Sequence, residues 1–460
     1  MWLAHKISAT QRRLREKGDA TMDQHDAILS RLLTLHPKRI DLSLGRIERL
    51  LAALDHPERK LPPIIHVAGT NGKGSTIAFL RAMLEASGAC VHVYTSPHLL
   101  KFNERIRLGA VGGGKLIDDT KLTEALERCE KANRGEAITF FEVTTAAAFL
   151  LFSESPADWL LLETGLGGRY DATNVIEGPI ATIITSISLD HPEFLGETID
   201  KISYEKAGIF KRGVPAIIGF QTEQAIKVLE REAYRMRAPL FVAGQSFYVR
   251  EENGRLVFED EQGLLDLPLP RLAGRHQYEN AASAIAALRA VAPDLPTKAI
   301  ENGLTQAEWP ARLQRLLRGK IIELAPENAE VWLDGGHNED GGRVLAQAMA
   351  EFHDRAPRQL VLICGAQTTK DVRALLKHFA GLARIVVAAP VEGEHKSWPP
   401  DEIASLARAE GIPVAYSAPS IERALEILSK EHFDHPPRIL IAGSLYLAAT
   451  VLSINGSNID

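Results

Sequence analysis

The sequence predicts an α/β protein in two domains, each built on a mainly parallel sheet. Three observations carry that prediction. First, an apolar run (Ile64, Ile65 and Val67, with Ala68) leads into the glycine-rich stretch GTNGKGS at 69–75. A helical pattern follows, with Ile77, Leu80, Met83 and Leu84 on one face and Gly88 as its C-cap. Second, later apolar runs end in charged or imidazole groups, DWLLLE at Glu163 and IATIITSISLDH at Asp190 and His191. Ends of successive parallel strands collect at one rim, where open α/β folds bind ligands. Third, beyond about residue 317, strand-like runs at 329–333, 359–364, 384–389, 413–416 and 438–442 alternate with helical stretches near 341, 371, 401 and 420. Such alternation points to a second, smaller sheet with helical crossovers.

Each element has a local reason. Residues 22–56 read as helical, with Leu29, Leu32 and Leu33 followed by IDLSLGRIERLLAAL at 40–54. The strand, glycine turn and helix start at 64–76 form the arrangement that binds phosphate, because a helix N-terminus offers N–H groups and a partial positive charge. Lys73 is placed to reach the β- and γ-phosphates. The fit to G-x-x-x-x-G-K-[ST] is incomplete: Val67 and Gly74 stand where that pattern has Gly and Ser or Thr, and Ser75 comes one place late. Val91, Val93 and Tyr94 make a short strand that Ser96-Pro97 stops, delivering Ser96 and His98 to the rim. ITFFEVTTAAAFLLF at 138–152 is an apolar helix holding one acid, Glu142; a carboxylate there requires a partner, which leaves an ion pair, a surface position or a metal. The strand ending at Glu163 is followed by a glycine turn carrying Arg169 and Asp171. TIDKISYEKAGIFKR at 198–212 is helical, and by spacing alone Lys206 is a solvated charge. VPAIIGF is a strand, a helix runs to Arg237, a strand spans 240–242 and hairpins extend to Leu269. GRHQYENAASAIAALRAV is a polar entry to a small-residue helix, and WPARLQRL at 309–316 is the hinge.

Composition narrows the class. A chain of 460 residues exceeds one ordinary core, and 45% hydrophobic with 24% charged residues is a globular, enzyme-sized balance. A net charge of −6 gives no electrostatic reason to expect nucleic acid or an anionic membrane, so anionic ligands must be held locally. Three dispersed cysteines, Cys90, Cys129 and Cys364, make no disulfide framework and no C-x-x-C zinc site; a reducing, cytoplasmic setting follows, with each Cys a small core residue. No apolar run approaches a membrane span. The basic start lacks an apolar signal region, with a transit peptide as the minor alternative. A monomer acting on small molecules is expected.

Nine strings occur in a familiar order: HVAGTNGKGST, YTSPHLLKFNERI, TFFEVTTAAAFL, LLETGLGGRYDATN, ITSISLDHPEFLG, EKAGIFK, GRHQYENAASA, WPARLQ and LDGGHN. In this the chain resembles the folylpolyglutamate synthases, including bacterial dihydrofolate synthases, within the wider Mur ligase family, over roughly residues 40–450. The resemblance implies an N-terminal P-loop ATPase-type three-layer domain over 1–311 and a smaller Rossmann-like domain over 312–460. It implies ATP held by Asn71, Gly72, Lys73, Gly74 and Ser75, with Asn280, Arg312 and Asp334, and one or two Mg²⁺ ions on Ser96, Glu142 and His191. It implies N6-carboxylation of Lys206, which turns a cation into a metal-binding anion, and makes Lys73, Lys206 and His191 the catalytic set. Asp41, Leu42, Ser43 and Leu44 match the pteroate pocket, and Arg169, Asp171 and His337 join the substrate contacts.

The implied reaction is ATP-dependent joining of L-glutamate to dihydropteroate and to tetrahydrofolate polyglutamates through an acyl phosphate. Two positions depart from the family pattern, Ala311 where Gly is usual and Gly336 where Ala is usual. The rival readings are another Mur-type amino-acid ligase, or a P-loop ATPase that makes no amide.

Overall fold

The computed structural model describes Ile28, Arg31 and residues 43–393 and 396–457. Leu29, Leu32 and Leu33 of the expected first helix, and Asp41 and Leu42, lie outside the described residues. The chain divides into two compact units: one runs up to Arg271 and resumes over Gln277–Glu308, the other takes Leu272–His276 and the chain from Trp309 onward.

In the first unit the strands are β1 (Ile64–Ala68), β2 (Val91–Tyr94), β3 (Ile106–Leu108), β4 (Lys115–Leu116), β5 (Trp159–Glu163), β6 (Ala181–Ile184), β7 (Ala216–Ile218) and β8 (Leu240–Val242). They form one sheet in the order β4-β3-β2-β5-β1-β6-β7-β8. From β2 to β8 all neighbours are parallel, whereas β3 and β4 are antiparallel additions. The continuous apolar runs of β1, β5 and β6 have a physical cause: parallel strands with helices on both faces are buried on both sides. All five residues of β1 are buried, His66 included. The register pairs Val67 with Glu163, Ala68 with Ile184 and Tyr94 with Leu162, which brings the ends of β1, β2, β5 and β6 to one rim.

Helices Gly45–Ala53, Asp119–Asn133 and Phe140–Glu154 share one core cluster with Ile64, Tyr94, Leu160 and Leu162. Helices Lys73–Ala86 and Thr297–Gln306 pack on each other, and the first of them lies against β1, β2 and β5 without entering that cluster. Thr297–Gln306 is a helix with a weak sequence signal. Its short apolar face, Ala299, Ile300 and Leu304, is interrupted by Lys298, Glu301 and Asn302. The expected helix over 198–212 ends instead at Lys206 and continues as a tight turn, Ala207–Ile209, where Gly208 sits so close to Arg169 that a Cβ would run into its backbone. The hairpins are β9 (Phe247–Glu252), β10 (Arg255–Asp260) and β11 (Gly263–Pro268), a separate antiparallel sheet.

The second unit holds β12 (Gln314–Leu316), β13 (Glu330–Leu333), β14 (Leu360–Cys364), β15 (Ala383–Ala388), β16 (Val414–Ser417) and β17 (Arg438–Ala442), in the order β12-β13-β17-β14-β15-β16. Only β12 is antiparallel. Helices Glu339–Arg355, Val372–Leu376, Pro400–Ala409 and Ile421–Leu428 supply the expected alternation. None of the described helices is long and apolar enough to cross a membrane. Cys129 and Cys364 are buried, and burial pushes both thiols up to about 12, which keeps them inert; Cys90 is half-buried.

Candidate active site

The glycine loop after β1 is shaped by close approach. Gly69 has φ +151°, and a Cβ there would run into the hydroxyl of Thr185. At Gly72, φ +89°, a Cβ would run into the Asn280 side-chain oxygen. Both positions require glycine. Segment 185–188, after β6, straps the loop. The Thr70 N–H donates to the Ser186 carbonyl (2.8 Å) and the Thr185 hydroxyl to the Asn71 carbonyl (2.7 Å). The Thr70 hydroxyl donates to the Ser188 carbonyl and accepts the Ser188 N–H, both at 3.1 Å. The helix starts at Lys73, and the Thr76 N–H to the Gly72 carbonyl (2.9 Å) is an early helical bond. The amides of Lys73, Gly74 and Ser75 therefore occupy the first turn, where N–H groups have no acceptor within the helix.

Two lysines converge on this loop. Lys73 Nζ donates to the carbonyls of Gly69 (3.1 Å) and Thr70 (3.2 Å). Lys206, at the end of Ile199–Lys206, is 4% exposed, and its Nζ donates to the same Gly69 carbonyl at 2.7 Å. It is not the solvated charge its spacing suggested. Burial lowers its pKa from 10.5 to about 7; the nearby Lys73 charge acts in the same direction, and Asp190 and Asp171 oppose it. Asn280 completes the loop, its oxygen against Gly72 and its amide donating to Gln277 at 3.1 Å. Replacing Gly72 with Ala forces a side chain into the left-handed region at about 1–2 kcal/mol and displaces Asn280. Urea unfolding should show that loss, and the KM for ATP should rise with it.

The neighbouring strand ends supply oxygen and nitrogen donors. Ser96 follows β2 and Glu163 ends β5; the Ser96 N–H donates to Glu163 Oε2 at 3.2 Å, and Glu163 is buried. His191 follows β6 with φ +52° and is about one-third exposed; its Nδ1 lies 3.6 Å from Glu193 and its Nε2 3.9 Å from Asp190. Glu142, the expected third metal ligand, stands in a different setting. Its carboxylate takes Arg46 Nε on both oxygens (3.1 and 3.0 Å) and Arg46 Nη2 at 3.0 Å. It also accepts the Thr139 N–H (2.7 Å), closing a capping box at the start of Phe140–Glu154. The ion-pair alternative raised for Glu142 is the arrangement observed, and the carboxylate beside Ser96 is Glu163.

Asp171 and Arg169 are engaged by their own surroundings. One Asp171 oxygen accepts the N–H groups of Gly165 (2.9 Å) and Leu166 (2.7 Å); the other accepts the Thr173 N–H (3.0 Å) and hydroxyl (2.6 Å). Thr173 in turn meets His66 Nε2 at 2.8 Å. The Thr173 proton is committed to Asp171, so His66 donates through Nε2 and is neutral, in keeping with burial pushing its pKa down to about 3. Arg169 lies over the Tyr204 ring (4.0 Å) and donates to the Tyr204 carbonyl at 3.1 Å. Both residues brace the loop after Glu163. Ser43 and Leu44 are half-buried at the start of Gly45–Ala53, with Leu44 against the core.

In the second unit Arg312 sits between two residues in left-handed backbone, Ala311 (φ +55°) and Leu313 (φ +44°). The family's usual Gly at 311 suits that conformation, and here a buried Ala adopts it. Asp334 is buried; its oxygens accept the N–H groups of Leu313 and Gly336, each at 2.6 Å. Desolvation pushes its pKa up, with the Arg312 charge opposing. Its observed bonds hold the Arg312 turn. His337 Nδ1 meets the Gly335 carbonyl at 2.9 Å. Among the described residues no group of three or more His, Cys, Asp or Glu side chains is gathered to hold a metal. Mg²⁺ does not require one, since it is commonly held by one or two carboxylates, water and substrate phosphates.

Residues 67–288 match the Mur ligase middle domain and residues 318–454 the dihydrofolate synthetase C-terminal domain. A phosphate-binding glycine loop with that pair of domains defines a Mur-type ligase. The chain is 36% identical over 359 residues to the dihydrofolate synthase/folylpolyglutamate synthase of Bacillus subtilis (strain 168), covering 75% of this chain and 80% of that one. The structure of E. coli FolC in complex with DHPP and ADP superposes with a TM-score of 0.82 at 30% identity, covering 94% of this chain and 97% of that one. The Yersinia pestis bifunctional enzyme, complexed with AMPPNP and Mn ion, gives 0.82 at 28% identity, with 94% and 99% covered. The chain belongs to the dihydrofolate synthase/folylpolyglutamate synthase family of ATP-dependent glutamate ligases.

Proposed function

We propose that this chain carries both ligase activities of its family, joining L-glutamate first to dihydropteroate and then to tetrahydrofolate polyglutamates. The observation that carries the reading is the convergence of Lys73 and Lys206 on the Gly69 carbonyl, at the rim that also holds Ser96 and Glu163. A carboxylate oxygen of the folate substrate attacks the γ-phosphorus of ATP, the bond to the β-phosphate oxygen breaks, and ADP leaves. The amino group of glutamate then attacks the acyl carbon; the C–N bond forms, phosphate leaves, and the amine proton passes to solvent.

The chain's own groups stabilise this transfer. Lys73 exchanges its loop carbonyls for phosphate oxygens, and the first-turn amides of Lys73, Gly74 and Ser75 face the same charge. Asn71 and Asn280 keep the loop in shape. Arg312 and His337 are proposed as further phosphate and substrate contacts, and Asp334 fixes the turn that carries Arg312. Segment 41–44 receives the pteroate. The donor set fits Mg²⁺ on Ser96, Glu163 and His191, with Glu163 in the place first given to Glu142; when bound, the ion neutralises phosphate charge. Lys206 is suited to carboxylation, since a buried amine with a lowered pKa is substantially neutral near pH 7 and adds to CO₂, forming an N–C bond and releasing a proton. Native mass spectrometry in bicarbonate should show the mass of one CO₂ on the wild type and none on Lys206→Met. We also propose a cytoplasmic monomer, which light scattering tests for mass.

The deciding experiment is phosphate release with MgATP and L-glutamate, on dihydropteroate and on a tetrahydrofolate, with mass spectrometry of the products. Glutamate-dependent products from both substrates are expected. Phosphate release without an amide would move the protein to the ATPase reading, and an amide on another acceptor to a different Mur-type ligase.

A further inference from the structure

We propose that the Arg46–Glu142 pair is a positioning device that sets Ser43 and Leu44, the described end of the proposed pteroate segment, relative to the strand-end rim. The proposal rests on the ligase reading above. Arg46 lies two residues beyond Leu44, in the first turn of Gly45–Ala53, so whatever fixes Arg46 fixes the end of segment 41–44. Glu142 is the third residue of Phe140–Glu154 and is locked to the backbone of that helix start by the capping box with Thr139. The contact between them is a bidentate guanidinium–carboxylate fork, with side chains 15% and 6% exposed. A fork fixes orientation as well as distance, and burial shields it from solvent competition. A second tie stands one turn along the same helix: Arg49 Nη2 donates to Asn133 Oδ1 (3.0 Å), at the end of Asp119–Asn133, and to the Ala137 carbonyl (3.1 Å), in the link that leads to Phe140–Glu154.

The other side of the pair reaches the rim through packing. Phe141, next to Glu142, lies against Gly165 so closely that a Cβ there would run into three atoms of its ring. Gly165 is two residues beyond Glu163, whose carboxylate meets the Ser96 N–H. One continuous path thus runs from the end of the pteroate segment, through Arg46, Glu142 and Phe141, to Gly165, two residues beyond Glu163. Neither Arg46 nor Glu142 touches a reacting atom in this scheme; both act through what they hold in place.

The test is a double-mutant cycle of Arg46→Gln, Glu142→Gln and the combined variant in the full-length protein, with Arg46→Lys as the conservative member. The readouts are dihydropteroate binding by calorimetry in the presence of ADP, the KM for dihydropteroate against kcat, and the Mg²⁺ concentration giving half-maximal rate. Each single variant should weaken dihydropteroate about tenfold, equivalent to about 1.4 kcal/mol, and leave the Mg²⁺ requirement unchanged. The double variant should be no worse than either single, because one contact is lost in each, and Arg46→Lys should recover part of the affinity. Three results would overturn the proposal: a raised Mg²⁺ requirement in Glu142→Gln but not in Arg46→Gln, additive losses, or unchanged dihydropteroate affinity. Calorimetric binding does not depend on turnover, so a wild type that binds dihydropteroate yet makes no amide condemns the ligase reading and not the pair. If Glu142→Gln fails to fold, Arg46→Lys and Arg46→Gln still decide between a positional effect on dihydropteroate and none.

Discussion

Lys73→Ala is expected to lower kcat for glutamate-dependent ATP cleavage by about 10³-fold, at the upper end of what loss of one preorganised charged donor costs, while dihydropteroate binding stays near wild type. Lys73 Nζ rests on two carbonyls of its own loop, Gly69 and Thr70, so the amine is held at the helix start and needs only a short exchange of acceptors to meet phosphate. The effect should fall on kcat more than on the folate KM, because the charge developing on the transferred group is what the cation answers. A second consequence is specific to this geometry. The Lys73 charge helps to depress the pKa of Lys206, which donates to the same carbonyl. Removing that charge should raise the Lys206 pKa from about 7, protonate more of the amine at fixed pH and reduce the yield of the proposed CO₂ adduct. Lys73→Gln retains a hydrogen-bond donor without the charge. Equal losses in Ala and Gln variants, by single-turnover phosphate release, would assign the effect to charge; a near-normal rate in Gln would remove Lys73 from that role.

The sequence made the loop, the strand ends and the β/α alternation readable because each follows from local chemistry: glycine where another backbone approaches, unbroken apolar runs where both faces are covered. Long-range partners are another matter. Glu142 is the one acid of the apolar stretch 138–152, and its partner Arg46 lies 96 residues earlier, beyond any periodicity. Among the carboxylates, the motifs therefore gave the metal role to Glu142 alone, and the meeting of Ser96 with Glu163 at the rim is visible only in the structure. Lys206 is hidden in the same way, since its burial depends on the loop that folds over it and not on its own helix. Asp171 and Asp334 carry the charge expected of ligand contacts, yet their observed bonds go to the N–H groups of nearby turns, an outcome that spacing does not encode. Ala311 was legible as a departure from the family pattern; that it stands in left-handed backbone required the structure.

Glu163→Gln is the other substitution with a large expected effect, and it separates function from architecture. Glutamine has nearly the same shape and retains an oxygen that can accept the Ser96 N–H, so the contact between the ends of β2 and β5 survives. What disappears is one negative charge, buried at 5% exposure. If that charge serves the fold, its loss should destabilise the protein. If it is kept for a cation, it is a buried charge retained at a cost to stability, and removing it should leave the metal-free protein as stable or more so. The second outcome is expected: an unchanged or higher unfolding midpoint in chelator, with kcat reduced about 10²–10³-fold and half-saturation by Mg²⁺ moved to higher concentration. Mn²⁺ binding followed by electron paramagnetic resonance gives the same comparison without turnover, and should weaken in Glu163→Gln while remaining near wild type in Glu142→Gln. A fall in stability with unaltered metal binding would return Glu163 to a purely structural place at the strand end. A loss of metal binding confined to Glu142→Gln would restore the ligand set that the motifs alone suggested.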